Sequence, residues 1–241
     1  ILHDALLQKL PIVYCMDRAG LVGNDGPTHH GVFDIAFMRL LPEMIITAPK
    51  DGNELRNLLA TALKLGKNFS IRYPKDSCRL FTPNIEPEYL KLGSWEVIHK
   101  GTSNVILAVG SMVGMVEDNK ELIYKRLGYL PTIINARFIK PLHRELLFQL
   151  CLTHEHVITI EEGTLAGGFG SAVGEFLHDN NLTNQSIIDS INPYLSRANT
   201  LTSLNLSYND IEDDGVRSLA QALRLNSIFK ELCLRKNRFS E

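Results

Sequence analysis

Apolar residues in the first three quarters of the chain fall into two alternating spacings. Short, mainly apolar runs at 12–16, 44–48 and 69–73 have the length of strands, and 12–16 the composition of a buried one. Between the last two, Leu55, Leu58, Leu59 and Leu63 recur at the spacing of one helix face, behind an Asp51 suited to cap the first turn. A looser stretch with Pro83 and Pro87 reads as a linker over 83–90. The rhythm then resumes. Runs at 105–109, 132–136 and 156–160 are predicted strands, and helices are expected after Ser111, after Pro141 (carrying Leu146, Leu147 and Leu150) and over 170–177. Strands and helices alternating through short loops predict α/β units with parallel sheets over 11–75 and 91–182.

The last quarter follows another pattern. Leu201, Leu204, Leu206, Asn209 and Ile211 recur as Phe229, Leu232, Leu234, Asn237 and Phe239, each matched position offset by 28. This is the leucine-rich-repeat pattern at the ribonuclease-inhibitor period, with Leu204, Leu206, Leu232 and Leu234 expected to face inward. A covering helix is expected over 216–225, and a fainter one over 186–195. Strands at this offset should pair in parallel. About two repeats are few for a self-sufficient array, so 197–241 is expected to be the least stable part.

Composition narrows the class. A chain of 241 residues with 44% hydrophobic and 22% charged residues is long and apolar enough to fold into one or two domains. The net charge of -2 gives no electrostatic reason to expect nucleic acid. No apolar run approaches the roughly 20 residues of a membrane span. Cys15, Cys78, Cys151 and Cys233 lie far apart without a CxxC pair, which suits reduced, buried thiols. The chain begins Ile1-Leu2-His3-Asp4, without an initiator Met, and reads as a fragment. A cytoplasmic location is expected, or a plastid one if a transit peptide precedes this sequence.

The densest chemistry lies at Asp17-Arg18-Ala19-Gly20-Leu21-Val22-Gly23-Asn24-Asp25-Gly26-Pro27-Thr28-His29-His30-Gly31. Glycines let backbone N–H groups approach an anion, and an arginine fork suits a phosphate. Histidine can move protons near neutral pH. A helix expected over 31–41 would add its N-terminus. By composition alone, the loop fits a functional site or a tight structural turn equally well.

The segment resembles the DRAGxxGxDGPTHxG loop of the 1-deoxy-D-xylulose-5-phosphate synthase family, thiamine-diphosphate enzymes of the transketolase superfamily. Further motifs support the resemblance over residues 1 to about 182: Ala48-Pro49-Lys50-Asp51, Ile71-Arg72-Tyr73-Pro74, Ala136-Arg137-Phe138-Ile139-Lys140-Pro141-Leu142, and Glu161-Glu162-Gly163 before Gly167-Gly168-Phe169-Gly170. The resemblance implies an α/β architecture. Residues 1–82 would be the second half of a pyrimidine-binding domain and 91–182 a transketolase C-terminal domain. Residues 183–241 would be the repeat-like tail. It also implies a homodimer that joins pyruvate to D-glyceraldehyde 3-phosphate with loss of CO2. Arg18 and Arg72 would bind the acceptor phosphate. Asp25 and His29 would position the pyruvate-derived adduct and assist proton transfer. His30 receives no role.

The family's GDG…N motif for the diphosphate and Mg2+ does not occur in this sequence, and its activating glutamate would lie upstream. The family's final strand should follow Leu182, where the repeat-like segment begins instead. The chain alone is therefore expected to be inactive and to bind thiamine diphosphate weakly. The alternative reading is an interaction protein whose repeat segment meets a protein partner.

Other readings are weaker. Adjacent His29 and His30 point apart and lack partners at ligand spacing, so no metal site is assigned. The glycines at 168, 170 and 174 resemble a dinucleotide loop, but helix packing explains them better. Trp95 reads as core or linker packing. Glu161 and Glu162 read as either site acids or solvated loop acids.

Overall fold

The computed structural model describes residues 1–22, 25–182, 186–190, 203–205 and 231–233. In chain order the first unit contains β1 (Val13–Met16), α1 (Asp34–Arg39), β2 (Ile45–Thr47), α2 (Gly52–Leu65) and β3 (Phe69–Arg72). The second contains β4 (Glu96–His99), β5 (Asn104–Ala108), α3 (Ser111–Asp118), α4 (Lys120–Leu127), β6 (Thr132–Asn135), β7 (Phe138–Lys140), α5 (Arg144–Thr153), β8 (His156–Ile160), α6 (Phe169–Asp179) and β9 (Ser186–Ser190). The tail contributes β10 (Ser203–Asn205) and β11 (Glu231–Cys233).

The first sheet has the order β1-β3-β2-β7. Its first three strands are parallel, as the alternation of strand and helix requires. The central strands β2 and β3 are buried along their whole length. β1 lies at the edge and is only half-buried, with Cys15 exposed, so the run at 12–16 is a strand but not the buried one its composition suggests. β7, which follows β6 in the chain, crosses over to pair antiparallel with β2. The two expected units are thus stitched together by a strand.

In α2, Asp51 accepts a hydrogen bond from the Glu54 N–H at 2.8 Å, and the helix stops at Gly66 in the left-handed region (φ 58°). Its buried face is Glu54, Leu58, Thr61 and Ala62. Leu55 packs partly against the core, while Leu59 and Leu63 are exposed. The expected leucine face is therefore rotated, for two reasons. Polar partners recruit Glu54 inward, and the linker is strapped along α2. Thr61 Oγ1 accepts from the Leu90 N–H, Asn57 Oδ1 from the Glu88 N–H, and Arg56 donates to the Thr82 carbonyl.

The second sheet has the order β4-β6-β5-β8-β9, with β4 antiparallel and the other neighbours parallel. Over 186–190, β9 stands where the helix expected over 186–195 would begin; residues 191–195 lie outside the described residues. Ile187 and Ile188 lie in register with Val157 and Ile158, and β-branched residues beside a parallel strand favour the sheet over a helix inferred from the repeat period. The sheet consequently extends past Leu182, and its last strand occupies the position that the family resemblance reserves for one.

One hydrophobic cluster runs through both units, including Leu58, Phe69, Trp95, Val105, Ile134, Phe138 and Phe169. Phe138 meets Phe69 edge-on at 6.3 Å. Trp95 donates to the Phe138 carbonyl at 2.8 Å and packs on Phe169, which confirms it as a core residue. Cys151 is buried, and burial pushes its thiol up to about 11. Cys78 is exposed, contrary to the expectation of uniformly buried thiols.

In the tail, β10 and β11 pair in parallel with Leu204 opposite Leu232, at the offset the repeat predicts. The helix expected over 216–225 and the facing of the repeat leucines lie outside the described residues.

Candidate active-site loop

Residues 17–31 leave the carboxyl end of β1 and close on Gly31. The Gly31 N–H donates to the Arg18 and Gly20 carbonyls, both at 2.9 Å, and the Gly20 N–H returns a bond to the Gly31 carbonyl at 3.0 Å. A Cβ on Gly31 would stand 2.3 Å from the Arg18 carbonyl oxygen. Arg18 itself lies in the left-handed region at φ 62°. The Ala19 N–H donates to the Tyr73 carbonyl, which ties the loop to the end of β3.

Asp25 is the electrostatic centre. Its carboxylate takes Lys75 Nζ at 2.8 Å on both oxygens and Arg18 Nε at 2.7 Å. Arg18 also pairs with Asp17. Lys75 and then Arg18 hold the Asp25 carboxyl below its ordinary range, and Asp25 holds the Arg18 guanidinium above its own. Asp25 is therefore an anion at neutral pH. His29 is exposed in a tight turn, with Nδ1 3.0 Å from Thr28 Oγ1. His30 Nδ1 accepts from the Val22 N–H at 3.0 Å and braces the loop.

Arg72 sits beneath the loop and is buried. Nε donates to Asp34 at 2.8 Å, and Nη2 donates to the carbonyls of Gly31 (3.1 Å) and Glu162 (2.9 Å). Arg18 and Arg72 thus meet at Gly31, the first through its carbonyl and the second through its guanidinium. α1 runs from Asp34 to Arg39, so the helix is shorter at both ends than the 31–41 expectation.

The second unit supplies the wall. Glu161 and Glu162 are both buried, which removes the solvated reading. Glu161 accepts from the Phe169 and Gly170 N–H groups at 2.9 Å each. The first turn of α6 is therefore filled by a carboxylate, which disposes of the dinucleotide reading. Glu162 accepts from Ser111 Oγ, and a Cβ on Gly20 (φ 77°) would lie 2.5 Å from Glu162 Oε1. Sequence reading missed Asp34 and Lys75. The only signal for either is its closeness in sequence to a motif, because the pairing needs the fold.

A second polar cluster joins the units. Glu54 accepts from Asn135 Nδ2 at 2.8 Å, and Lys50 pairs with Glu96 at 2.7 Å. Burial raises the carboxyls of Glu54 and Glu162 above the ordinary range, against the opposing Lys50 and Ser111 hydrogen bonds respectively. A raised native carboxyl binds more protons than its unfolded counterpart. Its contribution is therefore full below about pH 4.3 and is lost as pH rises through the raised native value. Denaturant melts of Glu162→Gln should show a shallower decline of stability with rising pH in that window than the parent chain. An unchanged slope would mean that Glu162 titrates normally.

Residues 1–79 match the model of the transketolase pyrimidine-binding domain, and residues 93–191 match that of the transketolase C-terminal domain. Residues 197–220 match a leucine-rich repeat. The chain is 46% identical over 187 residues to 1-deoxy-D-xylulose-5-phosphate synthase of Syntrophus aciditrophicus, covering 76% of this chain and 28% of the relative. It is 47% identical over 181 residues to the enzyme of that name from Thermomicrobium roseum, covering 74% and 28%. The chain thus spans 28% of the length of these curated relatives. Among solved structures, it resembles one titled a split gene transketolase, inactive beta4 tetramer (TM-score 0.59, 27% identity, 70% of this chain and 52% of that one). It shares a fold with transketolase from Campylobacter jejuni (TM-score 0.51, 17% identity, 74% and 27%).

Proposed function

From a chain that carries the transketolase pyrimidine-binding and C-terminal domains and is homologous to 1-deoxy-D-xylulose-5-phosphate synthases, we propose that it supplies the acceptor side of that synthase's active site. The whole enzyme's reaction is the decarboxylating condensation of pyruvate with D-glyceraldehyde 3-phosphate. The observation that carries this reading is the Arg18–Asp25–Lys75 array on a glycine-pinned loop at the carboxyl end of β1, where parallel sheets bind ligands.

Each residue has a part in the proposal. Arg18 exchanges its Asp17 and Asp25 partners for the acceptor phosphate, which its fork matches. Arg72 holds Gly31 in place and lends its charge from below. Asp25, kept anionic, orients the adduct as an acceptor of hydrogen bonds and does not donate a proton itself. His29, exposed on the same loop, carries the proton. The residues present do not fit a diphosphate with Mg2+. Among the described residues no group of three His, Cys, Asp or Glu could hold a metal ion, and the sequence lacks Gly-Asp-Gly. Thiamine diphosphate and Mg2+ would therefore be held by a domain other than these.

The test has two arms. The purified chain should not turn over pyruvate with glyceraldehyde 3-phosphate. A chimera joining residues 1–190 to the upstream domains of the Syntrophus aciditrophicus relative should do so. Turnover by the chain alone would overturn the proposed inactivity. A folded, thiamine-diphosphate-binding but inactive chimera would overturn the functional assignment.

Self-association is part of the proposal. Phe33, Phe37 and Leu40, spaced along one side of α1 and the turn before it, are all exposed, Leu40 by 82%. That stripe suits a second copy of the chain. Leu40→Glu should shift the chain toward monomer in analytical ultracentrifugation, by roughly tenfold or more in Kd for a lost apolar anchor. An unchanged sedimentation profile would place the interface elsewhere. We assign the protein to the cytoplasm, and no helix among the described residues is long and apolar enough to cross a membrane.

The parallel pairing of β10 with β11 supports a second role for the tail, as a repeat surface that meets a protein partner.

A further inference from the structure

A cavity of about 290 Å3 lies where the two units meet, between the end of α1, β7 and helices α5 and α6. Arg39, Lys140 and Arg144 line it, against Glu175 and Asp179, with the Phe176 ring as an apolar wall. It shares no residue with the loop site.

The three cations are not equally committed. Arg39 donates to the carbonyls of Gly167 (2.8 Å) and Gly168 (2.9 Å) and pairs with Glu175 at 2.5 Å, so its charge is answered. Lys140 Nζ donates to the carbonyls of Arg39 (2.9 Å) and Leu41 (2.6 Å). Those bonds leave a third N–H and an ammonium charge that no carboxylate among the described residues neutralises. Burial, and then the nearby Arg39, hold the Lys140 amine below its usual range. A charge in that setting gains from an anion brought beside it. Arg144 is exposed and lies 4.9 Å over the Phe176 ring. Among the described residues its guanidinium makes no ion pair or side-chain hydrogen bond, so its N–H groups remain available to an anion.

We propose that this junction cavity binds the phosphate group of a small phosphate ester, between the Lys140 ammonium and the Arg144 guanidinium that both line it. A tetrahedral dianion takes several charge-assisted donors at once, which a lone carboxylate does less well. The apolar wall at Phe176 accommodates a short carbon chain, and the cavity volume limits the ligand to a few carbons. Because Lys140 also holds the end of α1, binding here braces the junction between the two units.

The test uses the full chain carrying Arg18→Ala, which removes the phosphate contact proposed for the loop. Calorimetric titration with glycerol 3-phosphate and with inorganic phosphate should show saturable binding at one site. Arg144→Gln, an exposed change at the start of α5, should weaken it tenfold or more without altering the thermal midpoint of the free chain. Lys140→Met should abolish it. If that variant loses its fold, Arg144→Gln decides. Equal binding with and without Arg144→Gln, or no saturable binding in the Arg18→Ala chain, would overturn the proposal. Preference for inorganic phosphate over glycerol 3-phosphate would overturn the ester assignment.

Discussion

Replacing Asp34 with alanine should destabilise the chain by about 3–5 kcal/mol, a large fraction of the roughly 5–15 kcal/mol that holds a domain together. The side chains of Arg72 and Asp34 are only 4% and 7% exposed, and their ion pair measures 2.8 Å. Removing the carboxylate leaves a guanidinium charge out of water with only carbonyl partners. The pair itself is weak evidence of net stability, because both charges were desolvated to make it. Asp34→Ala combined with Arg72→Met should therefore recover part of the loss. Glu175→Ala at the more exposed Arg39 pair (Glu175 side chain 64% exposed) should cost no more than about 1 kcal/mol. Urea midpoints of the variants decide the matter. A cost for Asp34→Ala as small as that for Glu175→Ala would show that water reaches Arg72.

The strands at 12–16, 44–48, 69–73, 105–109, 132–136 and 156–160 were legible because apolar runs mark chain that pairs in a sheet, whereas β4, α4 and β7 were not among the expected elements. The 156–160 run is β8 residue for residue. What the pattern could not show is where elements meet. β7 is short and lies outside the strands expected from the apolar runs. Only the fold reveals that it leaves its own neighbours to pair with β2. The rotation of α2 has the same origin: the leucine count favours one face, but the partners of Glu54 lie on β6 and near its end. The repeat period correctly set Leu204 opposite Leu232 but, carried backward to 186–195, it overran a strand that belongs to the second sheet. At the loop, the family resemblance singled out Arg18, Asp25, His29 and Arg72 as candidates. It treated the two arginines as equivalent, and burial separates them: Arg72 is committed to Asp34 and two carbonyls, whereas Arg18 has only carboxylates that a ligand can replace.

That difference sets the largest kinetic effect. In the active chimera, Arg18→Ala should raise the KM for glyceraldehyde 3-phosphate by roughly 30- to 150-fold, the equivalent of losing one charged phosphate contact at about 2–3 kcal/mol. The KM for pyruvate should hardly move, because pyruvate carries no phosphate. Arg18→Lys should recover only part of the loss, since an ammonium cannot reproduce the fork. The same substitution also frees Asp25 from one of its two cations, so its carboxyl should rise toward the ordinary range while Lys75 still holds it down. The pH profile of kcat/KM should accordingly lose activity at a higher pH on its acid side in Arg18→Ala than in the parent. Arg72→Ala, by contrast, should lower stability along with activity, because Gly31 and Glu162 lose their common donor. An Arg18→Ala enzyme whose KM rises equally for both substrates would show that Arg18 shapes the loop instead of gripping the phosphate.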